Sequence, residues 1–118
     1  MMNLMKQLNA LTQVCDEDER ALIEEMVINA GDYVQAVINT ECKRINYTNR
    51  GGDEFRKAFS EADSRRTIVH NSLISMVDTV NKLCQLHDLS PIYTGDNQRR
   101  HYGDFAQKLV NEIFDERK

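Results

Sequence analysis

From Asp53 to His87 the chain runs without a single Pro or Gly, and its apolar residues recur on one stripe. Stepping by seven from Phe55 meets Ala62, Val69, Met76 and Leu83. Stepping by seven from Phe59 meets Arg66, Leu73, Val80 and His87. Side chains seven apart lie nearly above one another on an α-helix, so the two rows form one buried seam. Its one strong exception is Arg66. A continuous helix of this length spans roughly 50 Å at about 1.5 Å per residue, more than the width of a domain of 118 residues. Either it breaks near Ser60 to Ser64, where capping residues cluster, or a second copy of the chain covers its overhang. We expect the second.

The flanking chain supplies helices to pack against this one. Met1, Leu4, Leu8, Leu11 and Cys15 fall at helical spacing in a segment too short to be stable alone. Asp16 and Glu19 have capping-box spacing, and the acids of DEDE suit a helix N-terminus. The spacing predicts a second helix from about Glu17 to Arg44, with Ile23, Met26, Val27, Ala30, Val34, Val37, Ile38 and Ile45 on its buried face. Gly31 is expected to bend it or admit a close crossing. NYTNRGG, Asn46 to Gly52, reads as a turn. After the loop HDLSPIYTGDN, in which Ile92 and Tyr93 should tuck under the bundle end, a last helix is predicted from Asp96 or Asn97 toward Arg117. Its face is Tyr102, Phe105, Ala106, Leu109, Val110, Ile113 and Phe114.

Composition narrows the class of function. With 41% hydrophobic and 29% charged residues the chain can build a core, and a single Pro favours helices over a many-turned β fold. A net charge of −4 argues against nucleic acid as a partner. The charge is uneven: eight acids stand against Arg20 between Asp16 and Glu41, and seven basic residues against four acids between Lys43 and Arg66. Complementary solvated faces are the plain reading; a basic pole for phosphate or RNA is the alternative. Cys15, Cys42 and Cys84 form no disulfide framework and are expected as reduced core residues. No signal peptide or membrane-spanning run is apparent, so a cytoplasmic protein with no membrane contact is expected.

The chemistry concentrates in RRTIVHN, Arg65 to Asn71. Arg66 and His70 are four apart and share a helix face, with Asp63 three residues earlier. A guanidinium on a core seam demands a carboxylate, and Glu24, Asp32, Glu41 and Asp104 are the candidates on neighbouring helices. We expect an interhelical pair that locks register. The competing reading is an anion site of Arg66, His70 and Arg100, with Arg65, Arg66, His70 and Asn71 as catalytic candidates. Cys84 and His87 are three apart and His101 opens the last helix, but HExxH and CxxC are absent, so no metal or cofactor is expected. Nor is there a P-loop, a GxGxxG or a serine nucleophile elbow.

Two resemblances bear on this turn. Arg65-x4-His70 resembles the motif of HEPN-class ribonucleases, which are all-helical, often dimeric and metal-independent. That resemblance implies phosphate stabilisation by Arg and acid–base chemistry by His, although Arg66 stands where the class usually has a small polar residue. The order Asp63-x-x-Arg66-x-x-x-His70-Asn71-x-Leu73-Ile74, Asn81, Pro91-Ile92-x-x-Gly95-Asp96, Arg100, Phe105 resembles a family of small uncharacterised bacterial proteins expected to be helical. It implies a bacterial or phage origin and no assigned activity. The expectation is a single all-α domain over residues 1–118: three main helices in a bundle, a short N-terminal helix and one long central helix. It should be a homodimer acting as a non-enzymatic interaction or regulatory module. A HEPN-like ribonuclease or nucleotide-binding domain using Arg65 or Arg66 with His70 is the alternative.

Overall fold

The computed structural model describes residues 3–95 and 99–116. Its elements are α1 (Leu4–Val14), α2 (Glu17–Arg50), α3 (Asp53–Leu86) and α4 (Arg99–Glu116). The fold is an all-α bundle, as the periodicity predicts. The predicted start of the last helix at Asp96 or Asn97 lies outside the described residues.

Local chemistry sets the helix ends. Asn3 caps α1 by accepting from the Lys6 amide (2.8 Å). Asp16 and Glu19 close the reciprocal capping box of α2, each accepting at 2.9 Å from the other's backbone amide. α3 ends in a Schellman turn. There the Leu89 amide donates to the Cys84 carbonyl (2.8 Å) and the Asp88 amide to Gln85 (3.2 Å), with Asp88 left-handed at φ 57°. The chain is thereby turned across the bundle end, where Asn81 fixes it. The Asn81 side chain accepts from the Ile92 amide and donates to the Tyr93 carbonyl, both at 2.9 Å.

One boundary differs from expectation. α2 continues to Arg50, through most of the predicted turn, and Gly51 and Gly52 at φ 65° and 89° suffice to reverse the chain. The extra helical turns are held from across the hairpin by Tyr47 against Phe59 (6.3 Å between ring centroids) and by Arg50 over the Phe55 ring (5.5 Å). Gly31 does not break α2. A Cβ at that position would meet nothing within 4 Å, so it marks no close crossing either. α3 is continuous through Ser60 to Ser64, and its length is matched by α2, since both have 34 residues. The neighbour expected from a second chain is in part the chain's own α2.

The core gathers at one end of this hairpin. Leu4, Leu8 and Leu11 of α1, Ile23 to Tyr33 of α2, Val69 to Cys84 of α3 and Tyr102 to Leu109 of α4 supply it, with Cys15 and Ile92. α1 is held there by a bond from the Met5 amide to the Glu112 carboxylate (3.0 Å). On α3 the predicted seam is present, but a third row, His70, Val77 and Cys84, is buried beside it because α3 meets more than one neighbour. None of the buried members of this cluster lies between Tyr33 and Val69, and Ala62, buried in that interval, stands apart from it against Thr40. The far half of α2 and α3 is therefore a two-helix arm, giving a molecule 53 × 30 × 24 Å with a radius of gyration of 16.4 Å. A compact chain of this length would have about 13.5 Å.

α4 runs antiparallel to α2: Val110, Ile113 and Phe114 lie beside Val27 and Ile28, whereas Gly103, Asp104 and Gln107 lie beside Val34, Val37 and Ile38. Beyond that overlap, toward Arg50, α2 has among the described residues only α3 as a neighbour, and α3 is met by a different row. Thr40 is buried there, its hydroxyl donating to the Ala36 and Ala62 carbonyls (2.8 and 3.1 Å). Ile45, expected in the core, is consequently exposed, and Val37 and Ile38, at the edge of the overlap with α4, are exposed as well. Phe114, expected on the buried face of α4, is exposed as well.

Candidate functional site

The turn Arg65 to Asn71 sits where the arm joins the core, and the structure divides its residues among different environments. Arg65 and Asn71 are exposed on the outside of α3. Arg66 is half-buried, and its Nη2 donates to the Asp63 carboxylate on its own helix. The expected partners on other helices do not take that role. Glu41 is near enough that Arg66 helps hold its carboxyl below the usual range, after the larger effect of its hydrogen bond from Arg44. Asp104 lines the same groove as Arg66. The carboxylate expected from a neighbouring helix is thus supplied by α3 itself, in an i,i+3 pair that sets no register between helices.

His70 is 6% exposed and packs between two tyrosines. Tyr33 of α2 lies 5.5 Å away and Tyr102 of α4 meets it edge-on at 5.6 Å. The stack continues from Tyr102 to Tyr93 (4.5 Å) and from Tyr93 to Phe105 (5.4 Å). Burial pushes the Tyr102 hydroxyl up to about 12, with Tyr93 and Asp78 adding to the effect. One turn separates Arg66 and His70 on α3, yet the first opens on a groove and the second lies beneath aromatic rings. The side chain of Arg100, the third member of the expected anion site, lies outside the described residues.

The groove holds about 510 Å³ and is lined by Tyr33, Val34, Val37, Ile38, Arg66, Gly103, Asp104 and Gln107. Its floor is aliphatic, and its charges, Arg66 and Asp104, are of opposite sign. Such a lining suits an apolar side chain with a polar rim better than a polyanion. Outward along α2 the aliphatic row continues over Ile38, Cys42 and Ile45, spaced four and three apart, all exposed. Cys42 was expected in the core; it is on this surface instead, while Cys15 and Cys84 are buried.

At the opposite end of the bundle, Cys84 and His87 are not joined by His101, which is exposed beside Ile92, Tyr93 and Lys108. Cys15 and Glu19 come to His87 instead. Sequence reasoning missed this grouping because Glu19 and His87 are 68 residues apart.

The family model described as "Protein of unknown function (DUF3232)" matches residues 1–118. The chain belongs to that family. No curated protein and no solved structure matches it. For this DUF3232 chain, much of the order from Asp63 to Phe105 now has a structural account. Asp63 pairs with Arg66, His70 and Leu73 are buried, Asn81 clamps Ile92 and Tyr93, and Phe105 packs on Tyr93. Among the described residues no helix is long and apolar enough to cross a membrane.

Proposed function

We propose that this DUF3232 chain is a cytoplasmic, non-enzymatic interaction module that pairs with a second copy of itself along the arm. One observation carries the reading: Val37, Ile38, Cys42 and Ile45 carry the stripe that α4 covers lower down past the edge of α4 and out along the arm, where it is exposed. A row of aliphatic side chains on a two-helix layer is stabilised by burial against another layer, at about 25 cal/mol per Å². An antiparallel two-fold pairing about this row lets each arm cover the other's aliphatic side chains. Three free cysteines, two of them buried, suit a reducing compartment.

A two-fold axis through the middle of the row brings Cys42 close to its own copy. Mild oxidation should therefore give a covalent dimer that Cys42→Ser abolishes. In equilibrium sedimentation, Ile38→Glu with Ile45→Glu should convert dimer to monomer with an unchanged circular dichroism spectrum. A wild-type chain that sediments as a monomer at high micromolar concentration would end this reading.

The ribonuclease alternative asks for an arginine and His70 on one open surface. Arg65 is exposed, whereas His70 lies under Tyr33 and Tyr102, so the geometry lends it less support. Metal-independent cleavage of single-stranded RNA by the wild type, lost in a folded His70→Ala, would establish it over the interaction reading.

A further inference from the structure

Three helix ends converge at the end of the bundle away from the arm. Cys15 is the C-cap of α1, Glu19 belongs to the capping box of α2, and His87 is the C-cap of α3. One ligand atom from each, the Cys15 thiol sulfur, a Glu19 carboxylate oxygen and a His87 ring nitrogen, all lie within 4.8 Å of one another. Glu19 Oε2 and His87 Nε2 are 3.4 Å apart. Metal–nitrogen and metal–oxygen bonds of about 2.1 Å at a tetrahedral angle require a separation of about 3.4 Å.

We propose that Cys15, Glu19 and His87 form a zinc site, with three protein ligands and a fourth position open to water. The donor set sorts the ions: thiolate, imidazole and carboxylate at tetrahedral spacing suit zinc, and thiolate and imidazole are poor ligands for magnesium or calcium. Access and orientation both fit. Cys15 is buried at the back, whereas the side chains of His87 and Glu19 keep 23% and 20% of their surface exposed, leaving an entrance. The other oxygen of Glu19 accepts from the Asp16 amide at 2.9 Å, which fixes the carboxylate with Oε2 toward His87. Such an outer contact is what orients a ligating carboxylate. Binding displaces the thiol proton and leaves a thiolate–zinc bond that ties the end of α1 to α2 and α3.

The test is titration of metal-stripped full-length protein with cobalt(II), then zinc(II). One cobalt per chain should bind, with a thiolate-to-cobalt charge-transfer band and the intense visible bands of tetrahedral cobalt. Zinc should displace it and raise the Tm. Cys15→Ala and His87→Gln should each lose the charge-transfer band or the tetrahedral spectrum, and Cys42→Ala should keep both. Glu19→Gln separates the site from a structural role, because glutamine still closes a capping box. It should keep the apoprotein's Tm and bind zinc at least about 10-fold more weakly. A wild type without the cobalt spectrum or a zinc-dependent Tm would overturn the proposal, as would unchanged zinc affinity in Glu19→Gln or an unchanged cobalt spectrum in Cys15→Ala.

Discussion

At the scale of single residues, Tyr102 shows how burial becomes a measurable property. It is 2% exposed, and its hydroxyl pKa is raised to about 12 by loss of water, then by Tyr93 and Asp78. In the unfolded chain it ionises near 10. The stability it contributes is therefore fully present below about pH 10 and is lost as pH rises toward about 12, where the unfolded chain gives up its proton first. Urea midpoints across that range should fall with pH, and Tyr102→Phe should flatten the decline. An equal slope in both proteins would mean the loss arises elsewhere. The neighbouring His70 marks the limit of reading residues from sequence. Its spacing from Arg66 was legible, but its burial was not, because Tyr33 and Tyr102 reach it from 37 and 32 positions away, on two other helices. Arg66 was the reverse case. Its carboxylate, Asp63, stands three residues off on the same helix, although the seam position pointed to a partner on a neighbouring one.

Among the elements, α2 carries the clearest lesson. Its start was legible, since a capping box needs only four consecutive residues. Its end was not, because Asn46 to Arg50 looks like a turn and is held helical by rings on α3. Its buried face was half right. The aliphatic stripe marks the α4-facing side, and the chain carries that stripe past the end of α4 onto the arm. Gly31 is a local weakness that the fold does not use. With open space where a Cβ would sit and an ordinary helical backbone, Gly31→Ala should stabilise the protein by about 0.5–1 kcal/mol. Gly51→Ala has equal space but sits at φ 65° and ψ −171°, a region almost confined to glycine, and should destabilise it by about 1–3 kcal/mol. Urea melts of the two variants should therefore shift in opposite directions; a gain from both would mean that backbone strain at the turn is negligible.

For the molecule as a whole, the division between core and arm predicts a gradient of stability. The base is a packed cluster to which all four helices contribute, whereas the arm is a pair of helices joined by Thr40 with Ala62, Tyr47 with Phe59 and Arg50 with Phe55. Its surface pairs, Glu41 with Arg44 and Asp53 with Arg56, are exposed and i,i+3, so they add little. Local opening should therefore cost less in the arm than in the base. Hydrogen exchange should show amides from about residue 40 to residue 62 exchanging well ahead of those flanking Met26, Leu73 and Leu109 in dilute protein. If the arm pairs with a second copy, the two populations should respond differently to concentration. Dimerisation stabilises whatever it covers by mass action, so arm amides should gain protection as the protein is concentrated while base amides stay level. Equal protection of arm and base in dilute protein would contradict the division itself. Unequal protection that ignores concentration would keep the division and remove the second copy from the arm.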